Sequence, residues 1–599
     1  MIVHGPAKLS PQSEAFWPAV FCALFIVFVH VAWWRFGAFD GFVDGDSYTR
    51  LVRVLRLVET GEWLDVTLPR AGAPYGVSVH WTRLFDLMLL AIAAPLAMFM
   101  DFGRALQWSG TIISPLLHIG FGLALGWAVR PIIGTTAAYL AGALTATQFG
   151  VLGFSIIGHA DHHMMFPLLA ALAVGALCRS SAAKGGGRKD AFWAGVWIAV
   201  AFWVGPEALA FLAVCLVAIG LPWLLGEPGS ARRNMSLAFG LAITLSVVLV
   251  LERGLGGLFE VEYDRVSVVH FSFAALLFGF WVSVRVFAPS NPRRRTAAAA
   301  IGIIAVFWSL HLVFPKVLGN PLLDFDPALI PIFDQISEYQ SVGGAGRFLL
   351  YLGGAVFAVP WIVWRIRDAG SFSAAWAWLL IGLASIVFLL FALSWIRWSL
   401  YVSMFVAIAV ADMAVRADAA IDRSYRFPAR TLIKLPVIVG LIIGPMILGA
   451  AILYAEKNQR ISPDASVCPI ADLAVFLEKP PWNDRSRTIA ASANFGGEIM
   501  YRTRHRVVAT VHHRNGAGIL DGYRLFRATD DAARAIVDER RIDILLMCPG
   551  SNDDAYLTKD AQSGGLYERL RSGTPPSWLR SIALPDDLAG TVKLFEVVR

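Results

Sequence analysis

Charge is what this sequence has least of. Asp, Glu, Lys and Arg make up only 16% of 599 residues, and mean hydropathy is +0.61. Soluble domains carry about a quarter charged residues, so a string of soluble domains is excluded. Cysteine is also sparse. Cys22, Cys178 and Cys215 lie in apolar runs, where the thiol acts as a small hydrophobe. No Cys-x-x-Cys or Cys/His spacing points to structural zinc. The first apolar segment, Ala15 to Phe36, is too long for a cleaved signal and lacks a small-residue cleavage site, so it reads as a retained anchor. After Ala455 no membrane-length apolar run recurs. The net charge of +7 does not call for a nucleic-acid partner, because in a membrane chain it reflects basic cytoplasmic loops.

What the chain does have is apolar runs long enough to cross a bilayer. They fall at 15–36, 108–129, 133–155, 163–178, 191–205, 208–225, 235–252, 267–287, 298–314, 347–365, 373–394, 396–415 and 433–454, about thirteen crossings. Arg179 with Arg188 and Lys189, Arg232 and Arg233, Arg293 to Arg295, Arg365 with Arg367, and Arg416 through Lys434 fall in alternate loops. The loops between them carry Glu207, Glu252, Glu260, Glu262 and Asp264. This asymmetry places the N-terminus in the cytoplasm and residues 456–599 on the periplasmic or extracellular side of the plasma (inner) membrane. Arg83 to Met100 is apolar enough to span, but counting it would invert every later loop; it is expected to lie in the outer interface.

The fold class expected is therefore an α-helical polytopic membrane protein, residues 1–455, with a C-terminal α/β domain. In that tail Thr488–Ser492, Arg506–Thr510, Asp543–Cys548 and Val592–Val598 read as strands. Glu498–Thr503, Asp530–Arg540 and Leu566–Arg571 read as helices. Cys468 and Cys548 are the two cysteines of the exported tail, so a disulfide between them is expected.

Three outer loops hold polar residues that a lipid-facing scaffold does not need. They read Val43-Asp44-Gly45-Asp46-Ser47-Tyr48, Gly158-His159-Ala160-Asp161-His162-His163, and Ile336-Ser337-Glu338-Tyr339-Gln340. Carboxylates with one imidazole suit Mg²⁺ or Mn²⁺, which would neutralise a diphosphate leaving group. Each loop also has a bland reading. Asp46 could cap a helix from Ser47 to Leu57, Asp161 could cap the following span, His162 and His163 could be interfacial, and Glu338 a solvated charge. Their shared membrane face is what singles them out.

These stretches resemble the catalytic subunit of oligosaccharyltransferases, within the GT-C class of membrane glycosyltransferases. Asp46-Ser47-Tyr48 with Arg50 and Arg53 looks like that family's first acidic motif. Ala73-Pro74-Tyr75-Gly76 and His80-Trp81-Thr82-Arg83-Leu84-Phe85-Asp86 are similar to its first-loop run, with Arg83 in place of a proline. Gly158 to His163 matches the archaeal second motif, Ile336-Ser337-Glu338 resembles the flexible-loop motif, and Ile396-Arg397-Trp398 resembles the motif whose arginine holds the donor phosphate. The family likewise has thirteen spans with its soluble domain outside. The resemblance implies that Asp46, Asp161, His163 and Glu338 surround the metal, with Asp44 the rival of Asp46. It implies catalytic roles for Asp46, Asp161 and Glu338, and a diphosphate contact for Arg397.

The tail departs from that family. In place of its Trp-Trp-Asp-Tyr-Gly, which reads the serine or threonine of the acceptor sequon, stands Ala493-Asn494-Phe495-Gly496-Gly497-Glu498. A second polar cluster, His512-His513-Arg514-Asn515, reads as a surface loop, with His513 and Arg514 as weaker acceptor-side candidates. The function expected is transfer of a sugar or oligosaccharide from a polyprenyl-(di)phosphate donor to a glycan, lipid or protein acceptor, with a hydroxyl favoured over a sequon asparagine. The alternatives are a lipid-linked-glycan flippase and a catalytically silent scaffold. A flippase would place ionisable residues at the midplane and show repeats; here the polar residues gather at the rim.

Overall fold

The structure, a computed structural model, describes residues 11–36, 41–183, 187–319, 326–334, 336–457, 468–551 and 565–599. Among the described residues, ten helices are long and apolar enough to cross a membrane, or up to twelve if each of two bent pairs is one span. The bent pairs are Thr135–Thr147 with Phe149–Ser155 (69°) and Ala345–Leu352 with Ala355–Arg367 (51°). The remaining expected crossing, Arg188–Val204, is a continuous helix of 17 residues, at the short end of what spans a bilayer. Helix Arg83–Leu96 has 14 residues, about 21 Å of rise, and is too short to cross roughly 30 Å of hydrocarbon.

Buried residues of helices Phe102–Ile133, His162–Ala182, Phe372–Ser394 and Ile396–Ser424 share one core. The last of these is the most enclosed, with 83% of its most apolar stretch inside the protein. Helices Pro292–Val313 and Ala429–Glu456 are only 11% and 6% buried, so their apolar faces are left for lipid.

The C-terminal unit is a five-stranded sheet. Numbering in chain order after a short hairpin of β1 (Thr67–Leu68) and β2 (Val77–Ser78), its strands are β3 (Thr488–Ala490), β4 (Arg506–Val507), β5 (Ile544–Met547), β6 (Leu579–Ser581) and β7 (Lys593–Val597). Their spatial order is β4-β3-β5-β7-β6; β4, β3 and β5 are parallel, while β7 runs antiparallel to β5 and β6. All four residues of β5 are buried. Ile544 and Leu546 face one core, Leu545 and Met547 the other, as the two-residue period of a strand requires.

The hairpin loop fuses this unit to the helical part. Val66, Leu68, Val77, Val79 and Trp81 join the same core as Ile489 and Ile544. Backbone bonds Ala73 N–H to Val507 O (3.0 Å) and Val507 N–H to Arg70 O (2.9 Å) cover the edge of β4. Helix Ala493–Arg502 then seats on helix Gly45–Thr60. A Cβ at Gly497 would stand 2.2 Å from the Gly45 carbonyl oxygen, so this close approach requires glycine.

Cys468 and Cys548 are bonded, with Cα atoms 5.9 Å apart and 80 residues between them. Closing such a loop stabilises the folded unit by about 4 kcal/mol in the chain-entropy picture. Reduction, or Cys468→Ser, is expected to speed amide hydrogen exchange across β3 and β5 by the corresponding factor of several hundred. Unchanged exchange would contradict this.

Candidate active site at the rim of the helical bundle

Helix Gly45–Thr60 begins the site. Its N-cap is Asp44, whose Oδ1 accepts from the Ser47 amide at 2.8 Å; the helix therefore starts two residues earlier than expected and Asp46 is not the cap. Asp44 Oδ2 also lies 3.1 Å from His159 Nε2. Burial raises the Asp44 pKa, but the His159 imidazole beside it outweighs this and leaves the carboxyl below its ordinary value. In the same pair burial pushes His159 down, and the Asp44 charge reverses that, raising it to about 9. Both groups are committed to each other.

Asp46, two residues on, has no such partner among the described residues. Its Oδ1 is buried without a hydrogen-bond partner among the described residues. Burial, then the Asp44 and Asp161 charges, push its pKa well above the carboxylate range.

The second loop is turned by Gly158, whose φ of +84° belongs to glycine. It is pinned by Ser114 Oγ–H to the His159 carbonyl (2.5 Å) and by the Ala160 amide to Ser47 Oγ (3.0 Å). Asp161, 4% exposed, caps the following helix through the His162 amide (2.7 Å). The capping role is real, and the carboxylate does more. Its Oδ1 lies 3.1 Å from Arg50 Nη2 and 2.5 Å from His162 Nδ1, and its Oδ2 lies 2.6 Å from His163 Nδ1. His163 Nε2 in turn stands 3.6 Å from Glu338 Oε2.

Glu338 leads on to Arg397. Its Oε1 is 3.8 Å from Arg397 Nη1, which donates to the Tyr339 hydroxyl at 2.8 Å. Arg397 Nη2 pairs with Glu207. Burial raises the Glu207 pKa and Arg397 more than offsets it, leaving Glu207 ionised at a lower pKa than usual. The Glu338 and Arg397 loops are stitched by the Ile396 amide to the Gln340 carbonyl, 3.0 Å.

Asp161, His163, Glu338 and Arg397 thus form one chain of contacts, and Asp46 faces Asp44, Asp161 and Glu338 through charge alone. Several carboxylates crowded with an unpartnered oxygen and an imidazole make a donor set that fits a hard or borderline divalent ion. Ligand atoms of His159, Asp161 and His163 lie within 4.8 Å of one another. Sequence reasoning missed His159 as a neighbour of this cluster, although it stands inside the same motif. It also missed Arg50 and Glu207, partners that only the folded chain identifies.

One further expectation is corrected. The His512–Asn515 segment is not a surface loop: His512 is 3% exposed, and Arg514 pairs with Glu262 (2.8 Å) and Asp264 (2.6 Å) of a membrane-side loop. Arg83, where the resembled family has proline, sits at the first helical position, which proline also suits. It is 1% exposed and bonds Asp86 (3.1 Å) and the carbonyls of Glu62, Trp63 and Asp65.

No family profile matches the chain, and no curated protein does. Solved structures do. An archaeal oligosaccharyltransferase, AglB of Archaeoglobus fulgidus in complex with an inhibitory peptide and a dolichol-phosphate, superposes with TM-score 0.68. The match covers 93% of this chain and 72% of that one at 14% identity. The chain has the fold of an oligosaccharyltransferase. The enzyme of the same organism tethered to an acceptor peptide containing an NVT sequon gives TM-score 0.67 over 90% and 69% of the two chains at 13% identity. The form complexed with Zn and sulfate gives 0.63 over 89% and 68% at 14%. The oligosaccharyltransferase fold agrees with the expected GT-C architecture of a helical membrane part and an α/β unit.

Proposed function

We propose that this protein transfers a sugar or oligosaccharide from a polyprenyl-(di)phosphate donor to a glycan or lipid hydroxyl on the outer face of the plasma membrane. The observation that carries this reading is the contact chain Asp161–His163–Glu338–Arg397, built from three loops far apart in sequence on an oligosaccharyltransferase fold. Neighbours of that fold bind a dolichol-phosphate in one case and Zn with sulfate in another, which supports a lipid-phosphate donor and a metal here.

Asp46, Asp161, His163 and Glu338 would hold a divalent ion, Mg²⁺ or Mn²⁺; the bonds of Asp44 to Ser47 and His159 support Asp46 over Asp44 as the first-loop ligand. A bound ion would neutralise charge on the leaving diphosphate. Arg397 exchanges Glu207 for the donor phosphate and meets the electron pair released when the anomeric carbon–oxygen bond breaks. The acceptor oxygen forms the new bond to that carbon, and its proton passes to the Asp46 carboxylate.

The outward orientation is supported by the positions of the arginines. The helices that start beside Asp161 and Arg397 carry Arg179 and Arg416 toward their other ends. The Cys468–Cys548 bond also suits an oxidising compartment.

The acceptor reading rests on what replaces the sequon pocket. Gly496 and Gly497 are used for close packing: a Cβ at Gly496 would stand 2.0 Å from the Ala509 carbonyl oxygen. Glu498 Oε1 accepts from the Tyr48 hydroxyl (3.0 Å) and Arg502 Nε (2.7 Å), so the segment's carboxylate is spent on docking. A site that selects by hydrogen-bonding a substrate hydroxyl needs such a group available. Purified protein supplied with Mn²⁺ and a lipid-linked oligosaccharide is expected to leave a sequon peptide unmodified while a hydroxyl-bearing glycan or lipid acceptor is elongated. Glycosylation of the peptide that is lost when its threonine is replaced by alanine would overturn the acceptor assignment.

A further inference from the structure

A second group of imidazoles lies outside the contact chain above. His80 belongs to the first outer loop, His512 and His513 to the C-terminal unit, yet their ligand nitrogens all fall within 4.8 Å of one another. His80 Nδ1 is 2.8 Å from His512 Nε2, and the His80 and His513 ring centres are 4.2 Å apart. Three rings from segments 432 residues apart have no packing reason to aim nitrogens at one point, since aliphatic side chains would fill the space without polar atoms to satisfy.

The surroundings have the form of a metal site's outer shell. His513 Nε2 lies 3.0 Å from Asp264 Oδ2; a carboxylate that holds one ring nitrogen fixes the ring and makes the other a better donor. Asp264 is itself held by Arg514, at 2.6 and 2.9 Å. His512 Nδ1 accepts from the Arg514 amide at 3.2 Å, so without an ion its proton sits on Nε2 and is donated to His80. Two imidazole nitrogens on a tetrahedral ion with bonds of ~2.0 Å stand about 3.3 Å apart. The His80–His512 gap therefore has to open by roughly half an ångström, and the His512 proton has to move to Nδ1 at the expense of that one 3.2 Å contact. Neither change reaches the backbone of the sheet.

We propose that His80, His512 and His513 form a binding site for one borderline transition-metal ion, of the Zn²⁺ class, that clips the first outer loop to the C-terminal unit. Three neutral imidazoles with no carboxylate in the ligand set favour Zn²⁺, Ni²⁺ or Cu²⁺ over Mg²⁺ and Mn²⁺, the reverse of the carboxylate-rich site around Asp161. Asp264 positions His513. A tetrahedral ion on three imidazoles would keep a fourth position for water or an added ligand.

The test does not depend on transfer activity. Full-length protein carrying a non-histidine affinity tag, stripped with chelator in detergent, is titrated with Co²⁺. With excess Mg²⁺ present to fill the carboxylate-rich site, a visible absorption band of tetrahedral type is expected to saturate at one ion per chain and to be displaced by Zn²⁺. His80→Gln or His513→Gln should weaken binding at least a hundredfold and Asp264→Asn tenfold to a hundredfold. Asp161→Asn should leave the band in place. Absence of the band, or its survival in the His80→Gln/His513→Gln double variant, would overturn the proposal. Should those variants fail to fold, the wild type decides: Zn²⁺ is expected to protect His80 and His513 from carbethoxylation, read by mass spectrometry, and no protection would overturn the site.

Discussion

Asp161→Asn is expected to lower the rate of glycosyl transfer about a thousandfold, equivalent to ~4 kcal/mol in the barrier. The substitution is chosen because asparagine caps a helix as well as aspartate does, so the His162 amide keeps its acceptor and the span starting there keeps its first turn. What it removes is the charge that faces Arg50, His162 and His163 together. Asp161 has two oxygens engaged by three cationic or polar side chains, and it is the most heavily connected carboxylate of the rim. The neutral side chain also leaves Arg50, 2% exposed, with a weakened partner, so a thermal unfolding scan should show some loss of stability, and activities are compared at a temperature where both proteins stay folded. Retained activity would mean that Asp161 is only a cap, the bland reading its position always allowed.

Arg397→Ala is expected to reduce kcat/KM for the lipid-linked donor about a hundredfold, ~3 kcal/mol, with the loss falling on kcat as well as KM because the arginine both binds the phosphate and meets its developing charge. Part of any such loss could come from Glu207, which the substitution strands half-buried and unpaired. The double variant Arg397→Ala/Glu207→Gln separates the two contributions. If Arg397 binds the donor phosphate, the double variant stays as poor as the single. If the damage is only a stranded carboxylate, the double variant recovers. Arg397→Lys should rescue little, because a point charge does not reproduce the fork that now reaches Tyr339 and Glu207 at once.

The architecture was legible because lipid leaves a simple signal. Each run counted as a crossing became a helix or a bent pair of helices, and the Arg83–Met100 run, apolar enough to span, became a helix of 14 residues that is too short to cross. Two runs were legible in extent and not in shape: the helices near Gln148 and Gly353 bend, and nothing in their apolar composition encodes an angle. In the sheet, β3, β5 and β7 were visible as apolar runs. Strand β6 was not, because Leu579-Arg580-Ser581 offers one buried residue and is a strand only by pairing with β7.

Within the site, motif order located the loops, and the pairings stayed hidden. Arg50 meets Asp161 across 111 residues and Arg397 meets Glu207 across 190, and several acids were equally available to each arginine on paper. The choice between Asp44 and Asp46 shows the same limit at short range. Two residues apart in sequence, they differ in who holds them: Asp44 is tied to Ser47 and His159, whereas Asp46 keeps an unpartnered buried oxygen. His512 and His513 were read as surface residues because a polar run after a strand looks like a solvated turn. The first outer loop, which covers them, comes from the far end of the chain.

The most direct measurement is mass analysis of lipid-linked and surface glycans from cells carrying wild-type protein, Asp161→Asn protein at equal abundance, or none. A transferase using a lipid-linked donor predicts that a polyprenyl-phosphate-linked glycan accumulates in the last two strains while one surface glycan loses the matching sugars. Identical lipid-linked pools and identical surface glycans in all three strains would contradict it.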